Sequence, residues 1–89
     1  MMNKDAIPTL SRMFRFQWEE AQQCHVILYP EGMVKLSQSA GEIMKQVNGE
    51  ASISNIIQTL SDLFDGADVS EDVIAFISEA EKNGWIELK

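Results

Sequence analysis

The order of elements in the sequence predicts an α+β domain, with a three-stranded antiparallel sheet in meander order followed by three helices. Three observations carry this. Alternating and β-branched apolar runs fill residues 14–36, with turn residues between them. From Ala40 onward the apolar residues recur at spacings of three and four. Each of those helical runs is followed by Asn-Gly or Asp-Gly, residues that stop a helix.

Residues 1–11 contain Pro8 and no periodicity, so they read as a flexible N-terminal tail that becomes structured near Leu10; residues 12–89 read as one domain. Phe14-Arg15-Phe16-Gln17-Trp18 then alternates strictly, which places both phenylalanines and Trp18 on one side of a first strand, with Trp18 expected in the core. Residues 19–23 are polar and long enough to loop back into Val26-Ile27-Leu28-Tyr29, an apolar run of strand type. Pro30 suits the second position of a type I turn and Gly32 the fourth, so a hairpin follows. Its return strand, Met33-Val34-Lys35-Leu36, puts Val34 and Leu36 on one face and Met33 and Lys35 on the other.

Ser39 with Glu42 three residues later has the form of a capping box, opening a helix whose stripe is Ala40, Ile43, Met44 and Val47. The second helix carries Ile53, Ile56, Ile57, Leu60 and Phe64, with Ser52 or Ser54 as its cap and Asp65-Gly66 as its stop. The third is capped by Ser70, has Glu71 and Asp72 where the helix dipole favours acids, and buries Val73, Phe76, Ile77 and Ala80. Val69 and Ile74 have the spacing of a hydrophobic staple around that cap. Residues 85–88 read as a short apolar tail folded back on the core.

Composition narrows the function. Seven Lys/Arg against fourteen Asp/Glu give a net charge of −7, which disfavours the phosphate contacts that supply most nucleic-acid affinity and disfavours anionic membranes as well. A lone Cys24 forms no internal disulfide, the first residues lack the apolar core of a signal peptide, and no stretch approaches about 18 consecutive apolar residues. A soluble cytoplasmic protein is the expectation.

Chemistry-bearing residues are few. Cys24 and His25 are the only thiol and imidazole, and as neighbours on a strand they point to opposite faces; the reading is a small core-facing cysteine and a surface or edge histidine. Two such groups fall short of the three N or S ligands a zinc site needs, so no metal is expected. An EF-hand loop fails too: with Gly66 as its glycine, positions one and three are Ser61 and Leu63. Neither an oxyanion donor cluster nor a phosphate-binding glycine-rich loop is evident, so the expectation is no cofactor and no enzyme.

The run Tyr29-Pro30-Glu31-Gly32-Met33-Val34-Lys35-Leu36, followed by Ser39-Ala40 and Glu42-Ile43 and closed by Gly49, resembles the PqqD family of pyrroloquinoline quinone (PQQ) biosynthesis. Phe16-Gln17-Trp18-Glu19 upstream, and Asp72-Val73 and Gly84-Trp85 downstream, sit where that family has similar residues, so the likeness spans nearly the whole chain. Ser37 and Val47-Asn48 depart from the family pattern without disturbing the fold signals. The resemblance implies a winged-helix-like fold and a noncatalytic peptide chaperone. Its partners would be the PqqA precursor peptide and the radical SAM enzyme PqqE, which cross-links a glutamate and a tyrosine of that peptide.

It also implies where the peptide sits: added as a strand along Met33, Val34, Lys35 and Leu36, with the third helix walling the groove; Ile74, on the flank of that helix's stripe, and Ile77, at its boundary, are the candidate helix contacts. Each of these has a plainer reading. Met33 is otherwise a lone exposed apolar residue, Ile74 half of the staple to Val69, and Lys35 a guard against edge-to-edge aggregation. Val34→Pro is expected to abolish peptide binding if the Val34 N–H faces outward. An exposed edge strand also allows two copies to pair, so a monomer or weak homodimer is expected. The alternatives are a winged-helix nucleic-acid-binding regulator, against which stand Glu71, Asp72, Glu79 and Glu81 on the third helix, and a small hydrolase or redox enzyme resting on Cys24 or His25.

Overall fold

A computed structural model describes residues 3–89. The chain runs β1 (Pro8–Leu10), β2 (Arg15–Glu19), β3 (Cys24–Tyr29), β4 (Gly32–Lys35), α1 (Gln38–Lys45), α2 (Ile53–Leu63), α3 (Ser70–Lys82) and β5 (Ile86–Leu88). The predicted meander is present as a three-stranded antiparallel sheet in the order β2-β3-β4, and the three helices follow it. The hairpin turns over Pro30-Glu31, with Tyr29 paired to Gly32. Register then places Phe16, Ile27 and Val34 side by side on one face of the sheet, and Gln17, Val26 and Lys35 on the other.

The first of these faces meets the helices. Ile27 and Leu36 pack with Ile43 and Met44 of α1, Ile53, Ile56 and Leu60 of α2, and Val73, Ile77 and Ala80 of α3 in one core. At about 1.5–3 kcal/mol per large apolar side chain removed from water, this cluster is the main stabilising feature of so short a chain.

The N-terminal stretch departs from the tail reading. Among the described residues, β1 pairs antiparallel with β5 in a separate two-stranded sheet, bracketed by reciprocal bonds between Ile7 and Lys89. Residues just before it serve α2: the Ile53 and Ser54 N–H groups, which no turn of their own helix can satisfy, donate to the carbonyls of Ala6 and Lys4. A three-residue strand whose partner is 78 residues away leaves no periodic signal, and a helix N-terminus filled by distant carbonyls leaves none either. Residues 85–88, read as a folded-back tail, supply the partner strand β5. Met1 and Met2 of the predicted tail lie outside the described residues.

Caps shift as well. The α1 cap is Ser37, whose Oγ accepts from the Ala40 N–H; Ser39 lies inside the first turn, and Glu42 pairs with Lys45 instead of reaching back. The chain leaves β4 at Leu36, so the earlier serine meets the free N–H groups first. For α2, Ser52 holds the cap in a reciprocal pair with Asn55. For α3, Ser70 is already helical, and Asp68 accepts from both its N–H and its hydroxyl. Those two bonds, the hydroxyl's first, hold the exposed Asp68 carboxyl below its usual range.

Candidate functional site

β4 is an edge strand, and its hydrogen-bond parity decides what the edge offers. The Leu36 N–H donates to the His25 carbonyl at 2.9 Å, which makes His25 and Leu36 a hydrogen-bonded pair. Alternation along the antiparallel ladder then makes Ile27–Val34 and Tyr29–Gly32 bonded pairs too. Val34 therefore spends its N–H and C=O on β3. Met33 and Lys35 turn theirs to the open side. Proline at position 34 would break the ladder, so it does not test the edge; the outward donors are those of Met33 and Lys35.

Side chains divide along the same lines. Met33 is 41% exposed and Lys35 is exposed, both on the face away from the helices, while Val34 is half-buried over the core and Leu36 is buried within it. On α3, Ile74 is half-buried, whereas Ile77 is completely enclosed by the core and presents no surface. Of the six residues implied as peptide contacts, the structure leaves Met33, Lys35 and Ile74 with accessible side chains and Val34 at the margin. Leu36 and Ile77 lie behind them. Helix α3 packs against α1, α2 and β5.

Cys24 and His25 take faces opposite to those expected. His25 lies on the helix side with Ile27, stacked on Phe16 at 4.9 Å and edge-on to Trp18 at 5.0 Å. Helix α1 comes so close there that a Cβ at Gly41 would stand 3.0 Å from His25 Nδ1, so only glycine fits without displacement. Cys24 falls on the outer face beside Val26. Trp18, expected in the core, is 47% exposed, and its Nε1 donates to Glu20. It stands at the far end of the edge strand β2, where alternation gives the correct face but not the cover that face receives. Among the described residues no group of three or more His, Cys, Asp or Glu is placed to hold a metal ion.

The larger hollows lie away from β4, around the first turn of α1. This does not count against the edge, because a strand that adds to a sheet is held by a row of backbone groups and needs no preformed cavity.

A small α+β domain of winged-helix-like build, with the backbone groups of Met33 and Lys35 open along its β4 edge, has the architecture of a binding domain. The family comparison agrees: the family described as coenzyme PQQ synthesis protein D (PqqD) matches residues 24–86, and the chain belongs to that family. A protein of Azotobacter vinelandii named PqqA binding protein is 54% identical over 83 residues, spanning 92% of this chain and 90% of its own. A PqqA binding protein of Pseudomonas aeruginosa is 50% identical over 86 residues, spanning 96% and 94%. The fold is similar to the solution structure of the PqqD portion of Methylobacterium extorquens PqqCD, with a TM-score of 0.81 and 25% identity over 98% of this chain and 95% of that one. That portion is described as a functional, stand-alone RiPP recognition element.

Proposed function

We propose that this chain is a noncatalytic peptide chaperone of PQQ biosynthesis. It binds the PqqA precursor by strand addition along β4 and presents it to the radical SAM enzyme PqqE in the cytoplasm. The names of its relatives support the peptide, and the single observation that supports the mode is the open edge, with the N–H and C=O of Met33 and Lys35 turned outward.

Magnitudes indicate what else the complex needs. Four backbone bonds at about 1 kcal/mol each contribute roughly 4 kcal/mol. Ordering four peptide residues costs about 4–8 kcal/mol. The remaining deficit is closed by two or three apolar peptide side chains at about 1.5–3 kcal/mol each. Of the implied contacts, Met33 and Ile74 are the apolar side chains with surface available to receive them and Val34 stands at the margin; Lys35 adds a cation for an acidic peptide residue, and Leu36 and Ile77 hold the strand and the helix from behind. Among the described residues no helix is long and apolar enough to cross a membrane.

The test is a titration of isotope-labelled protein with PqqA peptide, following backbone amide resonances. Saturable changes concentrated on Met33, Lys35 and the Ile74 turn of α3 are expected. Saturable changes confined to other elements would remove β4 from the mode of binding, and the lack of any saturable change in a folded sample would remove the peptide.

A further inference from the structure

Leu63 and Phe64, at the end of α2, are 59% and 50% exposed. By spacing they extend the buried stripe of Ile53, Ile56 and Leu60. However, the chain leaves the helix at Phe64 and they face a groove of about 680 Å³ across from the first turn of α1. Phe64 also borders a second hollow floored by Ile43, Leu60 and Val73, so the depression continues to the start of α3. Four backbone bonds hold the bend: the Phe64 N–H donates to the Leu60 and Ser61 carbonyls, that of Gly66 to Ser61, and that of Ala67 to Phe64. Asp65 and Gly66 both adopt left-handed backbone to make it, at φ 57° and 84°. Two apolar side chains are thus displayed on a preordered turn, which lowers the entropy lost when something docks on them.

Charge says what docks. Residues 46–81 contain eight Asp/Glu and no Lys or Arg. Five of the eight, Asp62, Asp65, Asp68, Glu71 and Asp72, are exposed around this bend. Nearby cations are few: Lys45 is paired with Glu42 on the groove's rim, and Lys4 acts on Asp68 from the N-terminal side. A two-fold contact between copies would set these carboxylates against themselves, and nucleic acid or an anionic membrane meets the same repulsion.

We propose that the α2–α3 corner, centred on Leu63 and Phe64, is a docking surface for a folded protein partner whose own surface sets an apolar socket among lysines and arginines. Resting on the chaperone reading, that partner is the enzyme to which the peptide is handed. The corner and the β4 edge then bind two different molecules, so enzyme and peptide are held together on one small domain.

The experiment measures affinity for the PqqE holoenzyme and for PqqA peptide separately, at low and high salt, for wild type and three variants. Leu63→Glu and Phe64→Ala alter half-exposed positions. Asp62→Asn with Asp65→Asn removes charge while keeping a residue that tolerates left-handed backbone. Both apolar-site variants are expected to weaken enzyme binding about tenfold or more with peptide affinity unchanged. The double Asn variant is expected to flatten the salt dependence of enzyme binding. Unchanged enzyme affinity in all three variants overturns the proposal, as does a wild type that binds peptide but not enzyme. Peptide affinity lost in parallel would make the peptide the occupant, and a wild-type dimer that Leu63→Glu dissociates in sedimentation would make it a second copy; either overturns the proposal. Failure of wild type to bind peptide strikes the chaperone reading itself and is seen independently of the variants.

Discussion

The two edges of the three-stranded sheet share one register yet offer different things. β3 spends the backbone groups of His25, Ile27 and Tyr29 on β4, so those of Cys24, Val26 and Leu28 serve β2. The open groups on β2 therefore belong to Phe16 and Trp18, whose rings are committed to His25 on the helix side. That edge is also flanked by Arg15 and Glu19, with Glu20 accepting from Trp18. On β4 the open groups belong to Met33 and Lys35, and Lys35 is the strand's one charge. Charged flanks are a common way to close an edge to other strands, and β2 carries more of them than β4.

The largest effect is expected where both edges are undercut together. Ile27 is fully buried and pairs with Phe16 on one side and Val34 on the other, so Ile27→Ala should cost about 2–5 kcal/mol in urea unfolding. A loss well under 1 kcal/mol would mean that the sheet does not depend on its central strand in this way. Next comes a matched pair of prolines. Lys35→Pro removes an outward donor from β4 at the kind of edge position that tolerates proline, and should lower PqqA affinity roughly tenfold or more with the circular dichroism unchanged. Trp18→Pro removes the equivalent donor from β2 and should leave the affinity where it was. Equal losses from both would erase the difference between the edges.

Met33→Ala should act more weakly, lowering PqqA affinity several-fold through lost apolar contact while leaving the backbone groups in place, as calorimetric titration would detect. The smallest effect lies away from both edges. Asp68→Ala removes the acceptor for the Ser70 N–H and hydroxyl, and should lower the melting temperature by a few degrees at neutral pH. Because folding depresses the Asp68 pKa, its contribution is complete above the ordinary carboxylate pKa of about 4 and is lost as pH falls through the folded value. The gap between wild type and variant should accordingly close in acid. A gap that stays constant down to pH 2 would assign the cap to something other than the carboxylate.

Much of this architecture was legible residue by residue. The hairpin over Pro30-Glu31, the stripes of α1, α2 and α3 and the stop at Asp65-Gly66 all rest on interactions within a few positions of each residue, and short-range sterics write those into the sequence. The edge of the candidate site was legible as Met33-Val34-Lys35-Leu36, but not which of its N–H groups point outward. That parity was fixed by one bond, from Leu36 to His25.

The sequence by itself therefore determined the order of the meander strands and the three helices, the α+β class, the acidic surface and the family. Each of these is a sum over local or additive properties. Tertiary structure alone decided that residues 8–10 become a strand, because its partner lies at the opposite end of the chain. It likewise decided that Trp18 and Phe64 stay half exposed, that Ile77 is sealed, and that His25 and Cys24 take the faces they do. Periodicity tells which side of an element a residue occupies; whether anything covers that side depends on where the other elements end, and that is settled only when they pack.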